Sequence, residues 1–431
     1  MSIKHLYEDE RPTLLLDFAN SKTLDPRITF ERQSVGTYVD EQGIIRTAAD
    51  NEARFDHDPV TGECLGLLIE EERTNSWTYS EQPSQSPWTQ TNITVTENNV
   101  TSPDGNLTGA LLSSSSSGSS YVYQTHNEDI PTFTIYAKAG TTNNLWVRLQ
   151  SNVVSRNVAY NFNLSDGTFS VATGNTGNLT GWTERKSITN AGNGWYRIEM
   201  GFSSSTSSVT TDYQISPSTD GNAGASGETV YIWGAQLEKD KTFPTSYIPT
   251  SGSSTYQRLA DEASITGTNF SSWYNQSEGT FRGSFYINNP TNTVYSAPSA
   301  NYIFSVTDQS SNTTSLHVAA QLQSGSANVG TYMRNNNVAQ LQSDSAVNGI
   351  INNQIYNFAV SYELNSGGFA TQGDGINVST VPSTLPAFDE MYLGMIPNAY
   401  NSNAKMVNGV ISHIAYYNTR LSNTALEALT L

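Results

Sequence analysis

VYIWGAQLEKDKTFPTSYIPTSGSSTYQRLADEAS, residues 230–264, reads as the junction between two β modules. Val230-Tyr231-Ile232-Trp233 is a run of β-branched and aromatic residues, which predicts a strand. Phe243-Pro244 and Ile248-Pro249 then keep the chain extended, because a residue before proline is pushed out of the helical region. Ser251-Gly252-Ser253-Ser254 is a polar link of the flexible type. From Ala263 to Gly267 a new alternating segment begins, so one module closes here and another opens.

Composition supports β structure on both sides of the junction. The chain has 431 residues, enough for roughly three domains at about 150 residues each. It carries 32 Gly and 23 Tyr but only 14% charged residues, which suits many short strands joined by turns and not helical bundles. The predicted fold is all-β. A small N-terminal β-hairpin unit (1–75) is followed by two antiparallel β-sandwiches (76–249 and 257–431), with one short C-terminal helix.

Within the first unit, Thr13–Phe18 is a strand candidate. Gly36–Val39 and Ile44–Arg46 flank a turn in which Gly43 can take positive φ. Ala53–Phe55 and Leu65–Ile69 flank Asp58-Pro59-Val60-Thr61-Gly62. Few large apolar residues are present, so this unit is expected to dock on a neighbour. The second unit has strand candidates at Tyr121–Gln124, Phe133–Ala137, Leu145–Leu149, Ala159–Phe162, Trp195–Phe202 and Val230–Trp233, a spacing that suggests a two-sheet sandwich. Its serine run at 113–120 reads as a solvated loop. The third has Phe281–Ile287, Tyr302–Val306, Leu316–Leu322, Tyr356–Tyr362 and Met391–Gly394, then a helix at Asn423–Leu429 capped by Ser422.

Charge excludes some partners. The formal net charge of −18 would be repelled by phosphate backbones and anionic lipids, so no nucleic-acid partner is expected. No apolar run of 18 residues is present, so no membrane insertion is expected. MSIKHLYEDERP lacks the basic and apolar parts of a secretion signal, and Cys64 is alone; synthesis in a reducing bacterial cytoplasm is the expectation.

Three stretches carry family resemblances. LDPRITFERQSVGTYVDEQGIIRTAA (24–49) and ARFDHDPVTGECLGLLIEEERTN (53–75), with Tyr79-Ser80-Glu81 and Trp88 beyond, resemble a segment of bacteriophage structural proteins of the tail-fibre, spike or decoration type. GNGWYRIEMGF (192–202) and VYIWGAQLE (230–238) look like lines of a jelly-roll carbohydrate-binding module. Such modules often hold calcium through an aspartate in the last strand. Here that stretch reads Trp233-Gly234-Ala235-Gln236 with no carboxylate before Glu238, so neither a metal nor a cofactor is expected. Asn408–Tyr417 leading into RLSNTALEALT (420–430) is similar to the end of laminin-G-like, concanavalin A-like sandwiches in phage adhesins.

Catalytic patterns are scarce. Retaining glycosidases need a carboxylate pair roughly 5–5.5 Å apart, and the nearest candidates, Asp389-Glu390, alternate across a strand. Asp56-His57-Asp58 could be a metal or acid/base cluster, but Pro59 and Gly62 favour a hydrated turn. Cys64 reads as an inert thiol and His413 as a satisfied core histidine. We therefore expect no catalytic residues and no enzyme, with a polysaccharide depolymerase the weakest of the readings.

The aromatic positions point to binding instead. Strict alternation puts Phe133, Ile135, Ala137, Leu145, Val147, Leu149, Tyr196, Ile198, Met200 and Phe202 in the core. It leaves Tyr136, Trp146, Arg148, Trp195 and Arg197 outside. Rings beside guanidiniums suit a sugar platform, since rings supply flat apolar area and arginine supplies forked donors. A sheet surface carrying several large rings is more often covered by a neighbouring unit or subunit. If they are open, replacing Trp146 and Trp195 together leaves the fold intact. The functional expectation is a virion surface protein with other virion proteins as partners, assembling as a homo-oligomer. Its alternative is a dedicated adhesin for host-surface glycan.

Overall fold

A computed structural model describes residues 11–431, apart from 116–117, 129–131, 152–155, 173–181, 205–208, 224–226, 240–242, 288–299, 324–325, 345–353, 378–380 and 398–404. The fold is all-β, with antiparallel sheets dominating and no helix longer than eight residues among those described. At the C-terminus the helix Asn423–Thr430 starts where expected, and the Ser422 hydroxyl accepts from the Ala425 N–H at 3.2 Å. Two shorter helices, Phe18–Ser21 and Gly267–Ser271, lie where turns or strand ends were expected.

Residues 89–238 build two facing sheets. One, the hairpin-side sheet, runs Trp182–Asn190, Trp195–Ser204, Thr132–Ala139, Thr229–Glu238, Gly109–Ser114, Ile93–Val100. The other, the far sheet, runs Thr168–Val171, Arg156–Asn163, Asn144–Ser151, Val209–Ser216, Tyr121–Glu128, Thr89–Thr91. Between them lie Phe133, Ile135, Leu145, Val147, Tyr213 and Ile198, closed at one end by Trp77 and Trp88. The serine run is not wholly a loop: Ser113 and Ser114 end a strand, Gly118–Ser119 forms another, and 116–117 lie outside the described residues.

Two further sheets share a second core containing Phe281, Phe285, Phe304, Leu316, Met391 and Ile414. The N-terminal strands are sewn into them. Leu14–Asp17 and Cys64–Ile69 pair with different halves of Gly409–Tyr417, and Thr29–Glu31 pairs with Glu262–Thr266. Arg73–Asn75 bridges Tyr256–Arg258 and the end of Thr229–Glu238. Strands of three or four residues cannot bury enough alone, and ladder bonds to long partners satisfy their edges.

The junction is held by many side-chain bonds among the described residues. Ile248 donates its N–H to Gln236 Oε1 at 2.6 Å, and Thr245 donates its N–H to Glu238 at 2.8 Å. Those bonds occupy the last-strand residues at which the jelly-roll likeness raised a metal. Beside them is a fully buried ionic network. Arg54 reaches Glu70 at 2.8 Å and Asp261 at 2.5 Å; Arg32 reaches Asp261 at 3.0 Å; Arg258 reaches Glu70 at 2.9 Å. Burial pushes the Glu70 carboxyl up, but Arg258, Arg54 and bonds from Ser246 outweigh it and hold it down at about 2.

A carboxylate held low in the folded state stabilises it above the ordinary pKa, and that contribution disappears as pH falls through the folded value. Glu70 should therefore support the fold fully above about pH 4.5 and lose its contribution between there and about pH 2. Glu70→Gln takes one carboxylate charge from two buried guanidiniums, Arg54 keeping Asp261 and Arg258 keeping its bond to the Glu71 carbonyl, and should cost about 3 kcal/mol at neutral pH. Urea unfolding across pH checks both, the variant showing a shallower loss below pH 4.5 than the parent.

Candidate functional site

The cross-strand register confirms the alternation expected for the three key strands, with Tyr136 opposite Arg197 and Arg148 opposite Gln214. Phe133, Ile135, Ala137, Leu145, Val147, Leu149, Ile198 and Met200 are buried between the sheets, while the Phe202 side chain lies outside the described residues. The five outward residues nevertheless do not share a surface. Tyr136, Trp195 and Arg197 stand on the hairpin-side sheet, and Trp146 and Arg148 on the far sheet, with the whole core between the two groups.

None of the three rings is open. Trp195 is 1% exposed; it donates from Nε1 to the Thr101 carbonyl at 3.1 Å and packs with Tyr136, Trp233, Tyr247 and Ile45. The N-terminal hairpin and the 243–250 segment have covered this face. Trp146 is 3% exposed, packed on Ala159 and Ala172 beneath the turn at Gly221. Gly221 has φ +75°, and a Cβ there would sit 2.6 Å from the Trp146 ring. Of the two readings of these rings, the covered one describes both indoles and the open sugar platform does not: neighbouring segments of the same chain close over each large ring.

Around Arg148 the outer side of the far sheet is polar and tyrosyl: Tyr121, Tyr123, Arg148 and Gln150 are half-buried and Thr125 exposed, while Gln214, Asp212 and Ala159 are buried. Register places Tyr123, Gln214, Arg148 and Ala159 in one row, and Thr125, Asp212, Gln150 and Asn157 in the next. Arg148 donates from Nη2 to Gln150 at 3.0 Å and also to Gln214, whose amide donates to Gln150 at 2.7 Å. Its guanidinium lies 5.0 Å from the Trp146 ring centre and 5.9 Å from that of Tyr121. Tyr121 and Tyr123, both half-buried, have ring centres 5.9 Å apart. Burial lowers the Arg148 pKa from its ordinary value, with Tyr121 and Asp212 opposing the shift. The buried Arg148 Nε, one Asp212 carboxylate oxygen and the Asn161 amide oxygen find no partner among the described residues. Amides, a fixed guanidinium and half-open phenol rings in successive rows can bind a hydroxyl-rich ligand by forked hydrogen bonds and ring contact.

Tyr136 and Arg197 go elsewhere. With Asp56, His57, Glu199 and Tyr286 they line a cleft of about 620 Å³ between the hairpin-side sheet, the 55–65 hairpin and the C-terminal sheet that hairpin joins. The turn reading of Asp56-His57-Asp58 holds for Asp58, which accepts from the Val60 and Thr61 N–H groups at 2.8 and 2.7 Å. Asp56 faces the cleft instead, accepts from the Val39 N–H at 2.7 Å, and is raised by burial to about 6. Of the other residues singled out, His413 accepts from Arg282 at 2.9 Å and is lowered to about 4 by burial and that neighbour. Burial raises the half-buried Cys64 thiol.

No family model matches the chain, and no curated protein matches it. Among solved structures it is similar to the Ruminococcus gnavus IT-sialidase CBM40 bound to alpha2,6 sialyllactose, at 14% identity over 38% of this chain and 88% of that one, TM-score 0.28. Mouse laminin alpha1 domains LG4-5 match at 10% identity over 68% and 86%, TM-score 0.23. Trypanosoma rangeli sialidase matches at 9% identity over 75% and 60%, TM-score 0.28. Because sialidases stand among these neighbours, the expectation that the chain is not an enzyme is withdrawn. The β architecture rests on the sheets themselves, and none of these neighbours carries a residue assignment across.

Two measurements follow. Trp195→Ala should lower the unfolding free energy by about 3–5 kcal/mol in urea, as for a fully buried large ring. Asp56, raised in the folded state, favours folding below its ordinary value of 3.8 and loses that advantage as pH rises through about 6. Asp56→Asn should therefore flatten the fall in melting temperature between pH 4 and pH 6 while leaving the Val39 bond an acceptor.

Proposed function

We propose that this chain is a glycan-recognising surface protein whose binding face is the outer side of the far sheet, centred on Arg148. The observation that carries the reading is the Arg148–Gln150–Gln214 hydrogen-bonded group, held between Tyr121 and Trp146, with Arg148 Nε lacking a partner among the described residues. Such a face offers donors and acceptors in fixed directions beside aromatic area, which matches sugar rings bearing several hydroxyls. It is shallow, so a single contact near a Kd of about 1 mM would be worth only about 4 kcal/mol. Useful adhesion then needs several copies, and linked sites raise avidity by roughly 10²–10⁴ where geometry allows.

That requirement agrees with a virion setting, in which many copies of a fibre, spike or decoration protein are displayed together. The setting rests on the resemblance of residues 24–90 to phage structural proteins. In this reading the partners are other virion proteins, further copies of the chain and a host cell-surface glycan, and the place of action is the virion surface. The −18 charge favours neutral glycans over polyanions.

A glycan array probed with the full chain tests the proposal. Arg148→Ala should weaken the array signal at least about tenfold, and Tyr123→Ala should reduce it about threefold to tenfold, with melting temperatures close to the parent's. An unchanged signal in both variants, or no signal from a multivalent display of the parent chain, overturns it.

A further inference from the structure

We propose that the cleft between the 55–65 hairpin and the hairpin-side sheet is a second binding site, separate from the far sheet, for a small neutral polyhydroxylated ligand of one or two sugar units. The inference does not rest on the far-sheet reading, because the whole core separates the two surfaces.

The volume is suitable: about 620 Å³ lies inside the range of about 300–1,000 Å³ usual for small-ligand clefts. Its walls are also firmly set. Gly43, with φ +72°, and Gly192, with φ +78°, both back directly onto the Pro59 carbonyl; a Cβ on Gly192 would lie 2.5 Å from that oxygen. Three turns therefore meet at Pro59 and hold the hairpin over the sheet. Behind the hairpin, Arg54 is anchored in the buried ionic network, two residues from Asp56. A cleft held this way spends little of its binding energy on ordering itself.

Polar groups inside it are only partly used by the fold. The Tyr136 hydroxyl makes no hydrogen bond among the described residues, although the ring is packed against Trp233 and Tyr247. Arg197 donates from Nη2 to the Thr245 carbonyl at 2.6 Å, while its Nε has no partner among the described residues. His57 is tied through Nδ1 to the Val39 carbonyl at 2.9 Å, and its Nε2 has no partner among the described residues. Asp56 spends one oxygen on the Val39 N–H. Unmet donors and acceptors gathered in one cleft favour a ligand that can supply both.

Charge narrows the class. Asp56, Asp58 and Glu199 line the cleft against Arg185 and Arg197, and Arg185 is already paired with Glu199. An anion would meet more carboxylates than free guanidinium capacity, on a chain of net charge −18. A cation would meet Arg197. Hydroxyl groups, which both donate and accept without charge, satisfy Asp56, Tyr136 and Arg197 together, and Pro244 and Tyr286 supply apolar wall for the carbon face of a ring.

The test is calorimetric titration of the full chain with six separate probes: the methyl glycosides of glucose, galactose, mannose and N-acetylglucosamine, then maltose and lactose. At least one should bind the parent chain. Tyr136→Phe removes only a hydroxyl that the fold does not use, so its melting temperature should match the parent's while affinity falls about fivefold to tenfold. Arg197→Lys should lose at least as much. Failure of all six probes to bind overturns the inference, as does binding that survives Tyr136→Phe and Arg197→Lys. Binding lost in Arg148→Ala but retained in Tyr136→Phe assigns the sugar to the far sheet and overturns it too, while an array signal without cleft dependence leaves the far-sheet function standing alone.

Discussion

Four arginines and three acids share one dry volume at the junction, and the arrangement of the chain depends on their being paired. Arg32, Arg54 and Glu70 come from the N-terminal stretch; Glu238, Arg258 and Asp261 come from either side of the 243–250 segment; Arg73 reaches Glu238 at 3.3 Å and stacks on Phe243 at 4.6 Å. Taking such charges out of water costs several kcal/mol each, and their mutual attraction offsets that only when the geometry is right. The network therefore says less about total stability than about specificity. A chain that misplaced the hairpins would leave bare guanidiniums in an apolar interior.

That constraint decides what the two faces of residues 89–238 can do. Anchoring Arg54 and Arg32 fixes the N-terminal hairpins against the hairpin-side sheet, where Ile45 covers Trp195 and Tyr136. The same placement leaves the cleft beside Asp56, since the hairpin meets the sheet through its turn at Pro59 and not along its whole length. Among the described residues the N-terminal hairpins do not reach the far sheet. There Tyr121, Tyr123, Arg148 and Gln150 stay half-open and Thr125 exposed, while Gln214, Asp212 and Trp146 are buried, the last beneath the turn at Gly221. Binding potential thus lies where the covering segments stop.

Much of the fold could be read in advance from local pattern. Strands such as Thr132–Ala139, Asn144–Ser151 and Trp195–Ser204 carry strong alternation and β-forming residues, and the Ser422 cap signals its helix directly. Others could not be read. Ser326–Asn335, Val338–Asp344 and Ser366–Thr371 are rich in Asn, Ser, Gln and Gly, and they are strands because a long neighbour satisfies their backbone groups. Arg73–Asn75 has no apolar signal at all; its pairing with Tyr256–Arg258 follows from Asn75 bonding the Ala235 and Ile248 carbonyls.

For the site residues the division is sharper. Sequence alone determined that Tyr136, Trp146, Arg148, Trp195 and Arg197 leave the core, because side-chain direction in a strand is set by its immediate neighbours along the chain. Only the tertiary structure decided what each one meets. Trp195 shares a buried cluster with Ile45, some 150 residues earlier in the chain, and bonds the Thr101 carbonyl; Trp146 lies under Gly221; Asp56 faces Tyr136 and Arg197 across the cleft instead of water at a turn. Parity is a property of adjacent peptide units. Cover is a property of segments far apart in the chain, brought together here by paired charges that no stretch of sequence contains by itself.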